Sequence, residues 1–164
     1  MPEPIEFLII QNLQAALQGI TVAGGYHYDV QATLVKLDPN QNVEALVADK
    51  PRPFVVIDVV PERWQYLASG QVRVVMPLVV YWVGDSHPDA DEMPDQDESR
   101  LRTYLRGCAD VEKAIAPDYR RGGYATDTKI VKQTFNGELD GRDVWAAIEL
   151  EVLVHRVYGS PNAA

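Results

Sequence analysis

The stretch that most constrains how this chain folds runs from Gln71 to Val83, where two apolar sets interleave. In an extended chain, Val72, Val74, Met76, Leu78, Val80 and Trp82 fall on one side, and Arg73, Val75, Pro77, Val79, Tyr81 and Val83 on the other. A strand of about 13 residues reaches roughly 40 Å at ~3.3 Å per residue, close to three times the ~15 Å radius of gyration expected of a chain this long. Part of it should project beyond a small core, leaving apolar positions such as Val75, Val79 and Val83 for a neighbouring subunit to cover. Pro77 has no N–H to give to a ladder, which predicts a bulge or an edge there.

A second long strand is expected over Val144 to Tyr158, where Ala146, Ile148, Leu150, Val152 and Val154 alternate with Glu149, Glu151 and His155. The apolar run Phe54 to Val60, bounded by Pro53 and Pro61, reads as a strand buried on both faces and a candidate central strand. Shorter strands are predicted at Thr33 to Leu37, before the turn Asp38-Pro39-Asn40, and at Thr126 to Phe135, after the turn Arg121-Gly122-Gly123. Asn136-Gly137 and Asp140-Gly141 mark a hairpin loop between the last two strands.

Two helices complete the pattern. Ile5, Leu8, Ile9, Leu13, Ala16 and Leu17 form one apolar stripe between Pro4, suited to a first turn, and Gly19, suited to a C-terminal cap. The second helix starts at a cap on Asp97 or Ser99 and runs to about Ala116, before Pro117. Its stripe is Leu101, Leu105, Cys108, Val111 and Ile115, with Arg100, Arg102, Arg106 and Lys113 facing out. After the first helix, Gly24-Gly25 is a turn leading into an extended Tyr26 to Tyr28. The expected fold is one α+β domain spanning residues 1–164: an antiparallel or mixed β-sheet with the N-terminal helix and a second helix packed on it, and long projecting strands. A hydrophobic share of 46% in 164 residues suits a single core.

Composition excludes several functions. Asp and Glu number 24 against 15 Lys and Arg, a formal charge of -9, so the molecular field opposes gripping nucleic acid. No run of about 18 apolar residues exists, and Met1 to Gly19 lacks a basic n-region, so neither a membrane span nor export is expected. The segment 85–98 holds seven acids and no Lys or Arg, which predicts a flexible, solvated loop. Counted as a calcium loop from Asp89, it has Pro94 at the sixth position and Arg100 at the twelfth, where an EF-hand needs Gly and Glu. His27, His87 and His155 stand apart, and Cys108 sits on an apolar stripe, so no metal site, cofactor site or nucleophile is expected. Glu149 and Glu151 read as a solvated strand face rather than a glycosidase pair. No enzymatic activity is predicted. The candidate contact residues for a partner or a second copy are Val75, Val79, Tyr81, Val83 and Trp145, with Arg120 and Arg121 as a localised basic site. Trp64, Tyr66 and Trp82 are further aromatic candidates for core or interface.

With catalytic motifs missing, the ordered pattern itself carries the comparison. The opening Ile5-Glu6-Phe7-Leu8-Ile9-Ile10-Gln11-Asn12-Leu13, followed by Leu17-Gln18-Gly19-Ile20 and Gly24-Gly25-Tyr26, resembles that of the tail-terminator (tail-completion) proteins of long-tailed bacteriophages. So do Asp110-Val111-Glu112-Lys113-Ala114-Ile115, Arg121-Gly122-Gly123-Tyr124-Ala125-Thr126-Asp127-Thr128, and the closing Val154-His155-Arg156-Val157-Tyr158-Gly159-Ser160-Pro161. The resemblance implies a virion neck protein, assembled in the host cytoplasm. It would form a homo-hexameric ring, cap the head-proximal end of the tube built by the major tail tube protein, stop its polymerisation, and meet a head–tail connector. DNA would pass through the ring without specific binding. A head-closure or adaptor neck protein and a small soluble ligand-binding domain or enzyme are the rival readings.

Overall fold

The computed structural model describes residues 3–36, 38–60, 64–68, 70–85, 96–136 and 143–157. Helix α1 spans Ile5–Gln18, α2 Val43–Val47 and α3 Gln96–Ile115. The strands are β1 Ala32–Lys36, β2 Phe54–Val59, β3 Trp64–Ala68, β4 Gln71–Asp85, β5 Asp127–Asn136 and β6 Asp143–Val157. They form one mixed sheet in the order β1-β2-β4-β6-β5, with β3 also paired to β4. Among the described strands, only β1 and β2 run parallel. The chain is therefore α+β, as its pattern of elements predicts.

The two 15-residue strands, β4 and β6, pair from Gln71↔Val157 to Asp85↔Asp143 without a register shift. The other edge of β4 is shared: β3 pairs with Gln71 to Val75 and β2 with Leu78 to Val83. Met76 and Pro77 fall between them, opposite neither strand. Pro77 thus lies at a local edge of β4, unpaired on that side by any described strand and paired with Glu151 of β6 on the other, as a residue without an N–H for a ladder predicts; no bulge is described there. The one described bulge is at Val131 in β5, between Ile130 and Lys132.

Period-2 alternation divides the sheet into two faces. The inner face, including Val55, Ile57, Val74, Leu78, Val80, Trp82, Ile148, Leu150 and Val152, packs with Ile9, Leu13 and Leu17 of α1 and with Cys108, Val111 and Ile115 of α3. Each fully buried aliphatic side chain there contributes about 1.5–3 kcal/mol. A smaller cluster lies on the other face, where Val43 and Leu46 of α2 pack on Phe54, Val56 and Val83. This short helix, capped when the Asn42 side chain accepts from the Glu44 N–H, has no counterpart in the sequence expectation.

Helix α3 begins at Gln96, so Asp97 and Ser99 lie inside it rather than at its cap. Its roll also differs from the expected stripe. Ser99, Arg100 and Thr103 are buried, whereas Leu101 is 50% and Leu105 54% exposed. The cause is contact with Trp82: Gly107 of α3 faces the indole so closely that a Cβ there would lie 2.5 Å from the ring. Thr103 and Arg100, one and two turns before Gly107 on the same side, are carried inward with it. Tyr26 to Tyr28 form no strand; instead the His27 and Tyr28 N–H groups donate to the buried Asp110 carboxylate at 2.9 and 3.0 Å. Residues 86–95 of the expected acidic loop, the expected hairpin loop at 137–142 and the tail from 158 lie outside the described residues.

Candidate functional site

Among the described residues, helices α1 and α3 cover the inner face, and only the five-residue α2 covers the outer one, at the β1–β2 end. The remaining outer face is a broad surface over β4, β6 and β5. Its rows follow from the register: Val75 beside Leu153 and Asp127, Pro77 beside Glu151 and Lys129, Val79 beside Glu149 and Lys132, Tyr81 beside Ala147 and Thr134. Val75, Pro77, Val79, Tyr81, Ala147, Leu153 and Trp145 are half-buried, so the surface is apolar and partly open. Tyr81 and Trp145 meet edge to face with centroids 6.3 Å apart.

Charges border this strip in pairs. Lys36 meets Asp58 at 3.2 Å, Lys132 meets Glu149 at 3.6 Å, and Lys129 meets Asp127 at 3.6 Å. At the α2 end, Arg52 holds Asp143 through two hydrogen bonds of 2.9 and 2.8 Å and lies over the Phe54 ring. Burial pushes the Tyr81 phenol above its ordinary value, and the nearby carboxylates of Asp58 and Glu149 add to the shift, so its hydroxyl stays protonated and can donate.

Of the sequence-predicted contact residues, Val75, Val79, Tyr81 and Trp145 are brought together on this face. Val83 is not part of its open area: it is wholly buried beneath α2, with Phe54 and Val56. Arg121 is corrected in the same way. It is 0% exposed, and its Nη2 donates to the Ile115 carbonyl at the end of α3. The turn folds inward because Asp118 accepts from the Gly122 N–H at 2.7 Å and from Asn12 of α1 at 3.1 Å. Arg120 alone of that pair is exposed. Trp82 is core, 0% exposed and 5.3 Å from Tyr28. The backbones of Trp64 and Tyr66 pair with Val75 and Arg73.

Two features escape sequence reading. The outward side of α3 presents Leu101 and Leu105, with the Tyr104 ring tilted against Phe135 at a centroid distance of 4.9 Å, Phe135 itself being 42% exposed. A cavity of about 110 Å³ lies among Tyr28, Arg52, Pro53, Trp82, Gly84, Asp85 and Thr103. Among the described residues, the buried Trp82 Nε1 and Thr103 Oγ1, from two of its lining residues, have no hydrogen-bond partner.

His27 and His155 are exposed, and burial raises the Cys108 thiol above its ordinary value. Among the described residues, no three His, Cys, Asp or Glu side chains gather as metal ligands, and no helix is long and apolar enough to cross a membrane. No protein-family model matches the chain, and no curated protein matches it.

Proposed function

We propose that this chain is a structural virion protein, the ring-forming subunit that caps the head-proximal end of a bacteriophage tail tube, ends its polymerisation and offers the surface for head–tail joining. The observation that carries the reading is the open outer face, on which Val75, Pro77, Val79, Tyr81, Ala147 and Leu153 lie half-buried along two 15-residue strands with no described helix over them. A surface of that kind fits a protein that completes its core by assembly. The whole-chain pattern resembling tail-terminator proteins points the same way. A net charge of -9 suits a passage that DNA crosses without adhering. In this reading the role is non-catalytic, and the partners are further copies of the chain, six in the family it resembles, the tail tube protein and the neck connector.

Native mass spectrometry of the chain, alone and with purified tail tubes, tests the proposal, together with electron microscopy of the tube ends. The expected result is a closed ring seated on one end of tubes that no longer elongate. A chain that is strictly monomeric at high concentration and on tubes would overturn it. Binding to filled heads in place of tubes would assign the chain to head closure instead.

A further inference from the structure

We infer that the ring contact is front to back: the outward side of α3 on one copy, with Leu101, Leu105 and the adjoining Phe135, seats on the open sheet face of the next copy, and Arg102 meets Glu151. The inference rests on the ring reading above and names its two surfaces.

Both surfaces are apolar, and no described element of the chain packs over either. Leu101, Leu105 and Phe135 are 50%, 54% and 42% exposed, values unusual for neighbouring large apolar side chains. They lie on the helix side of the sheet, since α3 packs against the inner face through Gly107 and Trp82. Val75, Pro77, Val79, Tyr81 and Leu153 lie on the opposite side. One molecule cannot bring its own two patches together. Joining like to like closes a pair and leaves the second patch of each copy bare. Joining unlike patches covers both on every copy and repeats, the heterologous arrangement that gives a ring when its rotation closes.

Charge selects the same pairing. On the open face Asp58, Glu149 and Asp127 each have a lysine partner. Glu151, half-buried beside Pro77, has no ion pair among the described residues. Arg102, half-buried on α3 next to Leu101, has none among them either. A guanidinium laid on that carboxylate as the apolar patches close would form a desolvated, charge-assisted contact that fixes the register between copies.

The variants E151K and R102E test this. Both positions are away from the core, and circular dichroism melts confirm that each variant is folded before assembly is read. Each variant alone is expected to need at least tenfold more protein to form rings, by sedimentation velocity. An equimolar mixture is expected to regain ring formation. The sheet face of an E151K copy accepts the helix side of an R102E copy, and the next contact in the alternating ring is the native one. Rings of the unmodified chain that are indifferent to both substitutions, or a mixture that assembles no better than either variant, would overturn the face assignment while leaving the ring reading standing. An unmodified chain that remains monomeric alone and on tubes would overturn the ring reading and this inference with it.

Discussion

Arg121 changes what a substitution in its turn reports. It is fully buried at φ 49°, in the left-handed region that favours glycine, and its Nε and Nη1 have no hydrogen-bond partner among the described residues. Burial lowers the pKa of its guanidinium and Asp118 offsets part of that, but an arginine keeps its charge throughout the physiological range. Reversing it to Glu places an uncompensated carboxylate beside the Ile115 carbonyl and the Asp118 carboxylate, and should cost about 3–5 kcal/mol of stability in urea unfolding. Arg120→Glu, at an exposed position, should leave the unfolding midpoint nearly unchanged and so test partner contact cleanly. Asp118 supplies a pH-dependent tie in the same turn. Burial alone would raise its carboxyl, but hydrogen bonds from the Gly122 N–H and Asn12, with Arg121 nearby, hold it below the ordinary carboxylate value. Since the folded-state pKa is depressed, the tie is fully present above the unfolded pKa near 3.8 and is lost as pH falls through the folded value. Asp118→Asn should therefore flatten the acid limb of a stability profile taken from pH 5 to pH 2, by removing stability at pH 5 that the unmodified chain loses on acidification.

Among the elements, α3 shows how one contact sets the orientation of a helix. The Trp82 indole fills the space between β4 and α3, with Gly107 and Gly84 both against its ring. Gly107→Ala would set a Cβ 2.5 Å from the indole, so the helix must lift or the ring turn. That overpacking should cost about 1–3 kcal/mol, and in a Trp82→Leu background the same change should cost clearly less. Guanidinium unfolding of the four proteins in this cycle gives the coupling; additivity would show that the ring does not set the helix. The same contact explains what was legible in the sequence. Period-2 alternation made β4 and β6 readable, because a strand exposing alternate residues to core and surface writes its register directly. The C-terminal half of α3 was readable for the matching reason, since Cys108, Val111 and Ile115 do face the core. Its N-terminal half was not, because Leu101 and Leu105 continue the apolar spacing while Trp82 demands the glycine side. Arg100 and Thr103 are drawn inward by that demand, which no local propensity encodes. Helix α2 has five residues and too few turns for a periodic signal. The open face was legible as residues, Val75, Val79, Tyr81 and Trp145, but its limit at Val83 depended on α2.

At the level of the whole molecule, the same strand supplies both a core and a surface, and two of its valines separate them. Val83 and Val79 lie four residues apart on the outer face of β4, so they point the same way and differ in what lies above them. Val83 is 0% exposed beneath α2, in contact with Phe54 and Val56. Val79 is half-buried in the uncovered part of the face, between Asp58 on β2 and Glu149 on β6. A lysine at 83 must bury an ammonium without a partner or displace α2, a desolvation penalty of several kcal/mol. At 79 the ammonium reaches solvent and lies between two carboxylates, so the isolated subunit loses little. Val83→Lys should therefore lower the melting temperature sharply and fail to assemble because it fails to fold. Val79→Lys should melt within a few degrees of the unmodified chain yet form no rings if copies meet as proposed, since the charge would lie in the centre of the proposed contact face. Calorimetry and sedimentation on the two variants separate the outcomes. A Val79→Lys chain that assembles as well as the unmodified one would show that copies meet elsewhere, and that the open face serves the tube or the connector.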